Sequence, residues 1–113
     1  MAWSKELVAA SATPLILSIL SQGEDYGYGI IKRVAELTDG EVKWTDGMLY
    51  PVLHRLEKQK YIESEWKLSD SGRKRKYYKI CKEGKKELKT EKGKWSSMTR
   101  AIFAIGDEEP CLN

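Results

Sequence analysis

From Trp3 to Ser21 the apolar positions Val8, Ala12, Leu15, Ile16, Ile19 and Leu20 form one stripe at the spacing of an α-helix, and the pattern stops at Gln22-Gly23. Thr13-Pro14 interrupts it. An interior proline has no N–H to donate and crowds the preceding turn, so the helix is either kinked at Pro14 or begins there. After the turn GEDYG a second helix is predicted, with Ile30, Ile31, Val34 and Leu37 at i, i+1, i+4 and i+7, ending at Thr38-Asp39-Gly40. In TDGMLYPVLHRLEKQ, Leu49, Val52, Leu53 and Leu56 share a narrow arc of the helical wheel and form its buried face. Gly47, Pro51, His54, Arg55 and Lys58 take the opposite face, with Tyr50 at its edge, and Thr45 or Asp46 is placed to cap the start. Pro51 suits a helix N-terminus and not a helix interior, which predicts an irregular first turn or a start later than Thr45.

Two alternating stretches follow. Ile62, Ser64 and Trp66 face Lys76, Tyr78 and Ile80 across the turn residues Asp70, Ser71 and Gly72, which reads as a β-hairpin with a basic tip. Tyr77 and Tyr78 are read as strand residues, one packed and one outward, and Trp44 and Trp66 as structural. A last long helix is predicted from about Glu83 to Ile105, with Leu88, Trp95, Met98, Ile102 and Ile105 at 3-and-4 spacing. The acidic tail from Asp107 is expected to fray.

At 113 residues and 41% apolar content the chain is one domain with a modest core, so a sizeable ligand pocket is expected between subunits rather than inside one. LILSIL at Leu15 to Leu20 is far shorter than the roughly 20 residues of a membrane span, and no basic stretch precedes it to suggest a signal peptide. Cys81 and Cys111 form no CxxC or metal-type spacing, and a reduced cytoplasmic protein is the simplest reading. The net charge of +3 hides an asymmetry: Lys67 to Arg100 holds 13 basic and four acidic residues, so this stretch carries +9 and the remainder −6. Such segregation suits a polyanion partner, although the Lys85 to Lys94 part alone reads as a solvated helix face.

The order helix, helix, helix, basic hairpin, helix describes a mainly α protein with a small β-hairpin, a winged helix-turn-helix, and its chemistry fits double-stranded DNA. A helix enters the major groove and reads bases from its outward face, while hairpin cations neutralise phosphates or enter the minor groove. The DNA-facing candidates are Thr45, Asp46, Gly47, Met48, Tyr50, Pro51, His54, Arg55 and Lys58 on helix three, with Arg73, Lys74, Arg75 and Lys76 forming the wing.

The literal residues are more specific. YGYGIIKRV at Tyr26 to Val34, GMLYPVLHRLEKQKYIESEW at Gly47 to Trp66 and SGRKRKYYKI at Ser71 to Ile80 resemble the PadR family of bacterial transcriptional regulators. The resemblance implies a dimeric winged-helix repressor with helix three as reader. The single helix after the wing looks like that of the short-tailed members, in which helices one and four build the dimer interface. On this reading residues 1–81 form the DNA-binding domain, with helix one also contributing to dimerisation. Residues 82–106 form the C-terminal dimerisation helix, and 107–113 an acidic tail. The dimer contacts expected are Leu88, Trp95, Met98, Ile102 and Ile105. Three positions depart from the family pattern: Ser71-Gly72 replaces two adjacent glycines in the wing, Cys81 replaces a capping threonine, and Met48 replaces a threonine at the reading end of helix three.

Helix one carries a second stripe, Leu7, Ala10, Pro14 and Ser18, that needs another surface to cover it. Helix four supplies Trp95, with Thr99 one turn later and the small Gly93, Ser96 and Ser97 around it. Short-tailed PadR-like regulators that bind drugs use paired tryptophans here to sandwich flat molecules, and Trp95 matches by position. The resemblance therefore implies a small aromatic or drug-like effector against Leu7, Ala10, Pro14, Ser18, Trp95 and Thr99. The alternative is that Trp95 fills the dimer core, as aromatics at such positions do. No catalytic residue, cofactor or metal site is expected: His54 is the one histidine, and no GxSxG, Walker or Rossmann glycine pattern occurs. A winged helix used purely for protein interaction is the competing class, and four successive cations at Arg73 to Lys76 count against it.

Overall fold

A computed structural model describes residues 3–105, and both the 107–113 tail and Cys111 lie outside the described residues. The elements run α1 (Lys5–Ser21), β1 (Asp25–Tyr26), α2 (Gly27–Leu37), α3 (Asp46–Lys58), β2 (Ile62–Leu68), β3 (Lys74–Ile80) and α4 (Lys82–Ile105). Ser4 caps α1, its Oγ accepting from the Leu7 N–H at 3.2 Å. The helix starts at Lys5 and runs through Pro14, so the alternative of a start at Pro14 falls away.

β1 was not legible as a strand. It pairs antiparallel with β3, Asp25 opposite Tyr78 and Tyr26 opposite Tyr77, making a three-stranded sheet ordered β1-β3-β2. The hairpin register matches the alternation: Ile62 pairs with Ile80, Ser64 with Tyr78 and Trp66 with Lys76. Its turn closes through Gly72 at φ 81°, where the N–H donates to the Ser69 carbonyl.

α3 begins at Asp46 with the Thr45 carbonyl accepting from both Met48 (3.1 Å) and Leu49 (3.0 Å), a tightened first turn. Neither residue supplies the expected side-chain cap: Thr45 holds the N-cap position without a side-chain cap hydrogen bond, and Asp46 is already the first helical residue. Pro51 stands inside the helix on its exposed side. At the other end Lys60, at φ 65°, turns the chain so that the Tyr61 N–H returns to the Leu56 carbonyl.

The core gathers Ile16, Leu17 and Leu20 of α1, Ile30 and Val34 of α2, Leu49, Leu53 and Leu56 of α3, and Ile62 and Tyr78 of the sheet. Leu37 was expected to join it and is 56% exposed, because α2 ends there and the buried Thr38 takes over. The Thr38 hydroxyl donates to the Val34 carbonyl (2.8 Å) and accepts from the Val42 N–H (3.1 Å), which folds Val42 and Trp44 inward. Trp44 is buried as expected, whereas Trp66 is 65% exposed on the sheet.

α4 departs from the sheet through a close approach. The Cys81 N–H donates to the Tyr61 carbonyl at 2.9 Å, and a Cβ on Gly84 would lie 2.0 Å from that carbonyl oxygen. Leu88 is buried in this chain's own core, which removes it from the surface expected to meet a partner. Farther along, Trp95, Thr99 and Phe103 are half-buried, while Met98, Ile102 and Ile105 are exposed. The long helix gives the molecule a 55 Å axis and a radius of gyration of 15.6 Å, against about 13 Å for a compact chain of this length.

Candidate nucleic-acid interface

α3 separates its two faces cleanly. Leu49, Leu53 and Leu56 are buried, and Thr45, Asp46, Gly47, Met48, Tyr50, Pro51, His54, Arg55 and Lys58 are all exposed. Tyr50 reaches back to α2, where a side chain on Gly27 would come within 2.7 Å of its hydroxyl, so that glycine makes room for the phenol. His54 lies beside it, the ring centroids 6.5 Å apart.

Arg55 is placed differently from its neighbours. Its Nη2 donates to the Thr13 hydroxyl of α1 at 2.9 Å and its Nη1 to Gln59 at 3.3 Å, so the side chain bridges α1 and α3. No spacing signal links residues so far apart in sequence.

The four wing cations divide by the alternation of β3. Lys76 shares the inner face with Tyr78: its Nζ lies 5.7 Å from the Tyr78 ring and 4.0 Å from Glu57 of α3. Glu57 also accepts from the Ser64 hydroxyl at 2.7 Å, tying α3 to both hairpin strands. Burial pushes the Tyr78 phenol up to about 12. Arg75 takes the outer face with Tyr77, and its guanidinium lies 4.4 Å from the Tyr26 ring centroid. Arg73 and Lys74 are exposed at the turn. Among the described residues no carboxylate pairs with the side chain of Arg73, Lys74 or Arg75, whereas Lys67 pairs with Glu24 and Glu65, and Lys79 with Glu63.

The residues expected to hold an effector are spread along α1 and α4. Leu7 and Ala10 are exposed, Pro14, Ser18, Trp95 and Thr99 are half-buried, and the Thr99 hydroxyl donates to the Trp95 carbonyl. A hollow of about 1060 Å³ lies instead between α1 and α3, walled by Val8, Ala12, Val42, Trp44, Met48 and Val52. Periodicity places Val8, Ala12 and Val52 in packing stripes and Met48 on the DNA-facing side, and no spacing signal points to a hollow among them. No helix among the described residues is long and apolar enough to cross a membrane, and no three His, Cys, Asp or Glu side chains cluster as a metal site would need.

Solved structures share this fold. The PadR-like transcriptional regulator of Bacillus cereus superposes with a TM-score of 0.81 at 31% identity, over 93% of this chain and all of that one. A transcriptional regulator from Clostridium thermocellum gives 0.80 at 32% identity, over 89% and 95% of the two chains. An uncharacterized protein of Lysinibacillus sphaericus is 29% identical over 97 residues, 86% of this chain and 89% of that protein. The Escherichia coli transcriptional regulator YqjI is 40% identical over 48 residues, 42% of this chain and 23% of its own length. The family model described as transcriptional regulator PadR-like matches residues 16–90, the span from the α1 core residues through the wing into α4. With its exposed α3 face set beside a cationic wing, the chain belongs to the PadR-like family of DNA-binding transcriptional regulators, and its chemistry is binding rather than catalysis.

Proposed function

We propose that this chain acts in the cytoplasm as a homodimeric repressor that grips double-stranded operator DNA and releases it when a small aromatic or amphipathic effector binds at the dimer interface. The observation that carries the reading is the pairing of a polar, exposed α3 face with three wing cations that no carboxylate among the described residues neutralises. Thr45, Asp46, Gly47, Met48, Tyr50, Pro51, His54 and Lys58 contact the groove and its backbone. Arg73, Lys74 and Arg75 contact phosphates beside it, Lys76 holds the wing to α3 through Glu57, and Arg55 acts by holding α3 against α1.

Dimerisation rests on the far half of α4, where Met98, Ile102 and Ile105 present apolar surface that water solvates poorly. A twofold pairing through this half sets the spacing of the two reading helices, which must match half-sites about 34 Å apart. The effector reading rests on Trp95, half-buried in one chain, and on the stripe Leu7, Ala10, Pro14 and Ser18 of α1, which a partner's Trp95 would cover. A ligand favouring one spacing of the dimer shifts DNA affinity by its differential affinity for that state.

The test titrates the purified protein against a duplex from its own upstream region and a scrambled duplex, at two salt concentrations, with oligomeric state measured in parallel. Tight, selective binding by a dimer supports the reading. Equal, steeply salt-dependent binding to both duplexes leaves a basic surface without specificity, and no binding at low salt leaves a protein-interaction module. Trp95→Ala then separates a stacking site, where effector binding is lost and the dimer persists, from a packing role, where the dimer itself dissociates. An effector that still binds the variant points to the hollow between α1 and α3.

A further inference from the structure

β1 is two residues long and adds little to the sheet as a strand, yet it carries Tyr26 to a particular place. Its pairing opposite Tyr77 sets the Tyr26 ring edge-on to the Tyr77 ring, with centroids 5.6 Å apart and planes at 63°. The outer face of β3 then brings Arg75 over the Tyr26 ring, 4.4 Å from ring centre to guanidinium carbon. Tyr26, Tyr77 and Arg75 are all half-buried, so the stack is partly shielded from water.

Lys76 also lies over a ring, 5.7 Å from the Tyr78 centroid, so the pairing of each cation is what sets Arg75 apart. Lys76 is occupied by Glu57, and Arg73 and Lys74 extend from the turn with no side-chain partner among the described residues. Arg75 alone is both held and uncommitted. Stacking uses the face of the guanidinium and leaves its N–H donors, which lie in the plane, free to fork onto an anion. A free arginine must surrender rotamer freedom to make such a fork, and one already stacked surrenders less.

We propose that Tyr26 is a positioning residue for DNA binding: it holds the Arg75 guanidinium as a preorganised phosphate clamp at the base of the wing. The proposal rests on the wing contacting DNA. Tyr26 itself carries no charge to the phosphate. Its loss should therefore weaken affinity without changing how many phosphates are neutralised.

The measurement is the affinity of the full chain for a duplex of random sequence across roughly 50–200 mM salt, read by fluorescence anisotropy, since phosphate contacts act on any sequence. Arg75→Ala should weaken binding and lower the magnitude of the log–log salt slope by about 0.9, the share of one phosphate. Tyr26→Leu should weaken binding by about 3- to 10-fold, the size of a partly shielded cation–π contact, with the slope unchanged. Tyr26→Phe keeps the ring and should bind as the parent does. In the Arg75→Ala background, Tyr26→Leu should cost nothing further.

An equal loss from Tyr26→Leu in both backgrounds overturns the proposal, because Tyr26 would then support the fold generally. So does an unchanged affinity while Arg75→Ala remains weak. If Tyr26→Leu fails to fold by circular dichroism, Arg75→Lys decides: it keeps the charge and loses the planar stack, so it should retain the slope and weaken binding, and parent-like affinity refutes the clamp. If Arg75→Ala has no effect on affinity or slope, the wing reading itself fails, and the positioning role with it.

Discussion

Two glycines in α4 make opposite predictions for the same substitution. Alanine in a helix interior is normally about 1 kcal/mol more favourable than glycine. At Gly84 the new Cβ would lie 2.0 Å from the Tyr61 carbonyl oxygen and 2.8 Å from Ile80 Cγ1, neither distance tolerable, and the carbonyl is backbone that cannot rotate away. The start of α4 must move. Overpacking of this kind costs about 1–3 kcal/mol, and movement strains the Cys81 N–H to Tyr61 carbonyl bond, worth on the order of 1 kcal/mol. With the propensity gain subtracted, Gly84→Ala should be less stable by about 2 kcal/mol, a fall in Tm of roughly 10 °C for a domain of this size. At Gly93 the added Cβ would meet nothing within 4 Å beyond its own helix backbone and chain neighbours, so Gly93→Ala should be more stable by about 1 kcal/mol. Urea unfolding of the parent and both variants, at one protein concentration because the proposed dimer would add to apparent stability, measures the two together. A Gly84→Ala variant as stable as the parent refutes the close approach, and with it the account of how α4 leaves the sheet at a fixed angle.

Other changes test separate parts of the molecule. Ile102→Glu with Ile105→Glu should convert the proposed dimer to monomer in sedimentation while leaving the circular dichroism spectrum intact, since both side chains are exposed in the single chain; a persistent dimer would take these residues out of the interface. Asp25 has its pKa raised by burial, against weaker opposing effects of the Tyr26 N–H and Arg33, so the folded chain binds its proton more tightly than the unfolded one. This group's effect is thus to lower stability as pH rises from its ordinary value of 3.8 through the raised folded value, after which the loss is constant. Asp25→Asn should flatten that part of the stability–pH curve, and an unaltered curve contradicts the assignment. Cys81→Thr places a better cap before α4 and should raise stability by on the order of 1 kcal/mol by chemical denaturation; no gain means that the Cys81 site cannot orient a hydroxyl toward the helix start.

Periodicity carried the sequence reading where elements are long and one-sided. The hairpin register could be read pair by pair because a strand with one buried face permits no slip, and the α3 faces followed from Leu49, Leu53 and Leu56. β1 escaped because two residues have no period, and its strand character comes from the free edge of β3. Leu37 and Leu88 show the limit of stripe arguments. A helical wheel places a residue on a face without saying whether a neighbour reaches that far: α2 ends before Leu37 is covered, and Leu88 meets this chain's own core rather than a partner. The wing cations were visible as a run, but their division into a paired Lys76, a stacked Arg75 and a free Arg73 and Lys74 depends on Glu57 and Tyr26, which only the fold brings near. The same holds for the bridge from Arg55 to Thr13.

The central claim is that the α3 face and the wing together hold duplex DNA. Its most direct test compares the parent with the Arg73→Ala, Arg75→Ala double variant on operator and scrambled duplexes across a salt series. The account predicts weaker binding to both duplexes and a log–log salt slope smaller in magnitude by about 1.8, the release of two phosphate contacts. An unchanged slope with unchanged affinity would contradict it and take the wing out of the DNA-binding surface.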